Sequence, residues 1–167
     1  TEHSFSAAAQ LGLKAWIMFN PLKKLRERLQ LYADARTERE GRQLKMGEDV
    51  TALKFLYVAP TYEEAKRDAD FILTPYVRWF CANMPHSFIL DDDEKARPAS
   101  DMDWEFFRKH HMILAGSPEQ VTEQIHEIDE MHSLDSIALW SGAAGPQQGT
   151  GILDHKQIMS SLDLFAS

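Results

Sequence analysis

The side chains of this sequence that could do chemistry fall into three groups. Hydroxyls come first. In "TEHSFSAAAQLGL", Thr1 and Ser4 flank Glu2 and His3 at positions typical of helix caps, and Phe5, Ala8, Ala9 and Leu11 follow at helical spacing. Hydroxyls and N–H groups at a helix start serve equally as a cap and as an anion site. Histidines come second. His110 and His111 are adjacent, so their rings point in different directions, and no carboxylate or second histidine pair lies at ligand spacing. That pattern argues against a metal centre. His126 and His132 fall on or just after a helix and read as surface residues. The third group is a lone thiol, Cys81, whose neighbours Trp79, Phe80 and Met84 point to a buried structural cysteine rather than a reactive one. A single cysteine also excludes an internal disulfide framework and a multi-cysteine zinc site, and it suits a reducing, cytoplasmic setting.

Composition narrows the partners. Hydrophobic residues make up 44% and charged residues 26%, which is ordinary globular usage. The net charge of -8 disfavours nucleic acid and anionic membrane, because both demand basic patches. The longest apolar run falls far short of the roughly 18 residues a membrane helix needs. A phosphate-bearing cofactor stays open, since backbone N–H groups and a few hydroxyls can hold one. The basic stretch "PLKKLRERL" reads as the solvated face of an amphipathic helix. No repeat or Ser/Gly-rich linker divides residues 1–167, so they read as one unit.

These residues need elements to position them. A helix over 3–11 ends at Gly12, "LKAWIMF" reads as a strand, and "NP" places Asn20 as the cap and Pro21 in the first turn of a helix over about 21–40. That helix carries Leu22, Leu25, Leu29, Tyr32 and Ala33 on one face. "VTALKFLYVAP" is a second strand, with Tyr57 free to face either side, and Thr61 with Glu64 has capping-box spacing before the next helix. Residues 85–111 contain two prolines and "DDDE" without periodicity, and read as a long surface excursion. Ser117, Pro118 and Gln120 then start a helix, and "LDSIALWSGAAG" gives a third strand with a glycine-rich loop. A last helix over roughly 154–165 turns Ile158, Leu162 and Phe165 inward. Strands alternating with helices predict an α/β fold with a parallel sheet. Three parallel strands are too few to stand covered on both faces, so the rest of the sheet is expected ahead of Thr1.

"SFSAAAQLGL", "LYVAPTYEEAKRDA", "AGSPEQVTEQI", "DSIALW" and "SLDLFA", in this order and over nearly the whole chain, resemble the C-terminal half of bacterial luciferase-like flavin monooxygenases. The resemblance implies a (β/α)8 TIM-type barrel to which this chain supplies about strands six to eight with their helices. Strands one to five would lie on a separate N-terminal polypeptide, and the chain would not fold alone. The implied activity uses FMN, reduced by a separate flavin reductase, and O2 to oxygenate a hydrophobic organic substrate. A deazaflavin (F420)-dependent oxidoreductase, a non-catalytic flavin-binding barrel and a purely structural half-barrel are the alternatives. The complete enzyme is implied to be a dimer.

The same resemblance assigns roles by position. Thr1 and Ser4 match hydroxyls that hold the flavin phosphate, and Phe19, with Trp16 just before it, matches a position packed near the flavin ring. Trp140, Ser141 and Gly142 would line the substrate cavity at the end of the last strand. Residues 85–111 match a mobile lid that excludes water. The family's proton-transfer residue would lie on the N-terminal half, so no catalytic residue and no metal is assigned to this chain.

Overall fold

The computed structural model describes residues 2–18, 20, 22–83, 98–140 and 153–167. Helix and strand alternate through them as α1 (Glu2–Leu11), β1 (Ala15–Met18), α2 (Leu22–Glu40), β2 (Val50–Val58), α3 (Tyr62–Asn83), α4 (Trp104–Lys109), β3 (Ile113–Gly116), α5 (Pro118–His132), β4 (Ser136–Trp140) and α6 (His155–Phe165). The chain is α/β, and the three strand pairings among the described residues are all parallel. Local chemistry explains the best-defined start. The Ser117 hydroxyl accepts from the Gln120 N–H, the Gln120 side chain accepts from the Ser117 N–H, and Pro118 takes the first helical position.

β2 is the hub of the sheet. One of its edges pairs first with β1 over Val50–Leu53 and then with β3 over Phe55–Val58, while the other pairs with β4 over Thr51–Phe55. The N–H groups of Phe55 and Ala59 donate to Met112 and Gly116, so odd-numbered residues serve the β1/β3 edge. Val58 faces the other edge, beyond the end of β4, and its N–H donates to Ser161 Oγ of α6 at 2.7 Å. A buried N–H left without an acceptor costs about 1–3 kcal/mol. Ser161→Ala is therefore expected to lower the unfolding free energy by that amount, seen as a lower urea midpoint at unchanged m-value, and an unshifted midpoint would show that water replaces the hydroxyl.

Side chains alternate between the two faces of the sheet, and the faces differ. On one face, Ala15, Ile17, Val50 and Ala52 pack with Phe5, Ala9, Leu25, Leu29 and Tyr32 of α1 and α2. Leu56, Val58 and Leu114 continue that face under Val121 and Ile128 of α5. On the opposite face Phe55, Tyr57, Ile113 and Ala115 meet α3 and α4 through Ala69, Leu73, Val77 and Phe107. The remainder of that face runs from Trp16 through Thr51 to Ser136, and from Leu53 to Ala138. Trp16, Leu53 and Ala138 belong to none of the hydrophobic clusters formed by the described residues, and Trp16 is 70% exposed.

Several expectations need correction. The stretch at 98–111 is not a surface excursion. It holds α4, and Met102, Trp104, Phe106 and Phe107 are buried in the core against α3 and β3. Asp103 caps α4 by accepting from the Phe106 N–H at 2.8 Å, a start that "DWEFF" carried but that the flanking prolines obscured. Residues 84–97, the remainder of the expected lid, lie outside the described residues. β3 went unread because four residues buried on both faces show no alternation. His132 is not on the surface but 1% exposed, and in the basic stretch Lys24 is buried while its ammonium reaches Glu27. In α6, Ser161 rather than Leu162 or Phe165 is the buried residue, since that helix docks on the end of β2 through the Ser161 hydroxyl. Leu162 and Phe165 are 36% and 39% exposed.

Candidate functional site

In a parallel α/β sheet the connecting helices return antiparallel to the strands, so helix starts collect at the strands' carboxyl ends, where ligand sites form. Here the start of α1 and the segment after β1 lie at the carboxyl end of β1, where the turn leading into β3 meets them because β3 begins level with Phe55, and the starts of α3 and α6 flank the carboxyl end of β2. Ser4 lies in the exposed first turn of α1, one residue before Phe5, which is anchored edge-on to Tyr32 with ring centroids 6.3 Å apart. Glu2 at the same helix start acts electrostatically on Arg28 of α2, and Arg28 donates to Asn20 Oδ1 just past β1. Burial pushes the Arg28 guanidinium below its usual range, with the Glu2 carboxylate opposing that shift. Its Nε is enclosed and finds no hydrogen-bond partner among the described residues.

His110 closes the same corner. It is 2% exposed, its ring stands 4.7 Å from that of Phe106, and its Nδ1 accepts from the N–H of Leu22 at 3.4 Å. The Leu22 N–H in the first turn of α2 thus finds an acceptor 88 residues away, and the Asn20 oxygen accepts from Arg28. Nothing local in the sequence marks such a cap.

An aromatic wall stands on the partly bare face. Trp140, the last residue of β4, stacks on Phe55 at 5.3 Å and 28°, Tyr76 meets Trp140 edge-on at 6.1 Å, and Trp79 stacks on Tyr76 at 6.2 Å. Trp16 is on the same face, level with Thr51, whereas Trp140 is level with Phe55. That is four residues along β2, or about 13 Å. At the level of Trp16 the Thr51 and Ser136 hydroxyls are hydrogen-bonded at 2.7 Å. The face thus offers apolar and aromatic area with one hydroxyl pair, a lining suited to a planar or hydrophobic organic molecule.

Beside the end of β2 lies a cleft of about 330 Å³ between the starts of α3 and α6, lined by Tyr57, Pro60, Arg67, Asp68, Asp154 and Lys156 among others. The Tyr57 hydroxyl donates to Asp68 at 3.1 Å, which settles its orientation. Burial, reinforced by the Asp68 carboxylate, raises the phenol to about 12, so it stays protonated and acts as a donor. Of the residues assigned from sequence, Ser4 lies at the strand-end rim and Trp16 and Trp140 share one face, while Thr1, Phe19 and Ser141 lie outside the described residues. Arg28, Asn20 and His110 were not anticipated, because what makes them notable is a contact between remote segments.

No protein-family model matches the sequence. No curated protein matches it either. Solved structures do. The monooxygenase RslO1 of Streptomyces bottropensis aligns over 99% of this chain and 44% of its own, with TM-score 0.70 and 21% identity. The oxygenating constituent of 3,6-diketocamphane monooxygenase of Pseudomonas putida, a type II Baeyer-Villiger enzyme in complex with FMN, aligns over 81% of this chain and 38% of its own, with TM-score 0.58 and 23% identity. The coenzyme F420-dependent tetrahydromethanopterin reductase of Methanopyrus kandleri aligns over 95% of this chain and 46% of its own, with TM-score 0.57 and 15% identity. The chain therefore spans less than half the length of each of these structures. No helix among the described residues is long and apolar enough to cross a membrane. In fold, the chain resembles the luciferase-like monooxygenases and the F420-dependent enzymes.

Proposed function

We propose that this chain forms about strands six to eight of a (β/α)8 barrel, and that the complete barrel is a flavin-dependent monooxygenase. The observation that carries this reading is the half-covered sheet: one face is packed under α1, α2 and α5, while the part of the other face that α3 and α4 leave uncovered presents Trp16 and Leu53 beside a hydroxyl pair, with Trp140 at the edge of the covered part. That uncovered part is the barrel interior, and strands one to five, from an N-terminal polypeptide, complete its wall. Similarity in fold to FMN and F420 enzymes supports a flavin-type cofactor.

The residues present fit such a group. Ser4 and, with it, Thr1 offer hydroxyls at the start of α1, and the unpartnered Arg28 Nε shows that this corner has donor capacity left over. The flavin phosphate binds there. Trp140 on Phe55 forms an apolar wall that orients the substrate and excludes water, with Ser141 and Phe19 completing the lining. Reduced FMN, delivered by a separate reductase, supplies the electrons for O2 activation. The acid or base is contributed by the N-terminal half, and the complete enzyme is a dimer.

Losing one charge-assisted hydrogen bond costs about 1.5–3 kcal/mol, so Arg28→Ala is expected to weaken FMN binding by about tenfold or more while leaving riboflavin, which lacks the phosphate, unchanged. Equal losses for both ligands would remove Arg28 from the phosphate site. The reading as a whole is tested by anaerobic titration with reduced FMN followed by an O2 pulse. Uptake of O2 with formation of an oxygenated organic product is expected. If reduced FMN fails to bind and F420 binds instead, with hydride exchange that needs no O2, the deazaflavin alternative replaces it.

A further inference from the structure

A basic cluster is sealed between the sheet and α5, away from the cavity face. Lys54 points to the helix-covered side of β2, the same side as Val50, Ala52 and Leu56, and is 2% exposed. His111, in the turn before β3, and His132, the last residue of α5, are 7% and 1% exposed. His111 Nε2 lies 3.2 Å from Glu127 of α5, but its Nδ1 and both ring nitrogens of His132 are enclosed with no hydrogen-bond partner among the described residues. Arg26 of α2 and Arg108 of α4 add positive charge from the flanking helices, Arg26 toward His132 and Arg108 toward His111. Against Lys54, Arg26 and Arg108 stands a single carboxylate among the described residues, Glu127, itself half exposed.

We propose that the Lys54–His111–His132 cluster is an acid-sensitive latch that holds α5 on the sheet while its imidazoles are neutral and lets α5 detach when they take up protons. A proton added to either ring would sit in a desolvated space beside a buried lysine with too little negative charge to balance it. Detaching α5 hydrates both rings and removes that conflict. α5 is the element that moves, because it carries His132 and Glu127; it rests on the sheet through Val121 and Ile128 against Leu56, Val58 and Leu114 and through the Gln124 side chain, which accepts from the Ala115 N–H at 3.3 Å and donates to the Ala115 carbonyl at 3.2 Å, bonds that opening the latch must break. It leads through Ser133–Asp135 into β4, whose last residue is Trp140, so opening the latch loosens the aromatic wall.

The direction of the pH effect follows from the groups themselves. Burial lowers His132 from 6.5 to about 4, with Lys54, Arg26 and His111 adding to the shift. Burial also lowers His111, which Glu127 partly offsets. The detached state therefore binds protons below pH 6.5 that the docked state refuses until about pH 4. Docking is at full strength above 6.5, weakens as the pH falls between those values, and levels off below. Lys54, lowered by burial to about 8, is an ammonium throughout that window and does not change its sign.

Hydrogen exchange of the purified protein between pH 7.5 and 5, corrected for intrinsic rates, tests the latch. The open population of α5 is expected to rise by up to tenfold per pH unit for each imidazole, with the amides of α1 holding their protection. His132→Leu should flatten that dependence. Independently of any variant, the ring resonances of His132 in the wild-type protein should show a neutral imidazole down to pH 5. A His132 that titrates near 6.5, or α1 and α5 that lose protection together, would overturn the proposal.

Discussion

Phe107→Ala is expected to destabilise the protein by about 3–5 kcal/mol, the usual cost of emptying a buried aromatic site. Phe107 is fully buried in the cluster that joins α3, α4 and the end of the sheet, and it packs edge-on against Phe106 at 5.8 Å. The neighbouring Glu105 provides the control. It pairs with Lys66 at 3.2 Å, but both side chains are exposed, so Glu105→Ala should change stability by no more than about 0.5 kcal/mol. Urea midpoints of the two variants decide whether 98–111 is core or covering. A covering loop would leave both variants equally stable, whereas the packing of α4 requires a wide gap between them.

Gly47→Ala is the second large effect. Gly47 has φ of +86°, and a Cβ there would run into the backbone carbonyl groups of His132 and Ser133 at the end of α5. Backbone atoms cannot swing aside as a flexible side chain can. The Gly47 carbonyl also accepts from the N–H groups of Val50 at 3.2 Å and Asp135 at 3.4 Å, so a shift of the turn pulls on the start of β2 and on the α5–β4 corner together. Strain and overpacking combine to about 2–5 kcal/mol. Gly41→Ala separates the two contributions, because φ there is +68° and the added methyl would meet nothing within 4 Å. It should cost only about 1–2 kcal/mol of left-handed strain. Similar thermal midpoints for the two variants would mean that the turn around Gly47 relaxes freely.

The elements with strong local signals were legible in the sequence. Ser117-Pro118 with Gln120 announced α5, and β-branched and aromatic residues announced β2, because cap chemistry and periodicity are written over a few consecutive residues. β3 and α4 were not, since a four-residue buried strand and a six-residue helix offer too short a window for either period. The site shows the same division. Trp16 and Trp140 could be placed on strands from their neighbours, and register then brings them to one face. His110 at the start of α2, Arg28 at Asn20 and the cluster around Lys54 depend on contacts between distant segments, and spacing along the chain carries no trace of them.

The proposal that the bare sheet face is a barrel interior is most directly tested by hydroxyl-radical footprinting of the complete protein. Trp16 and Phe71 are 70% and 71% exposed in this chain, one on the bare face and the other on the outer surface of α3. Indole is intrinsically the more reactive ring. If further strands close over the face, Trp16 will be labelled far more slowly than Phe71 despite that advantage. If Trp16 reacts faster than Phe71, the face is open to solvent, and neither a completed barrel nor a flavin cavity lined by this sheet can stand.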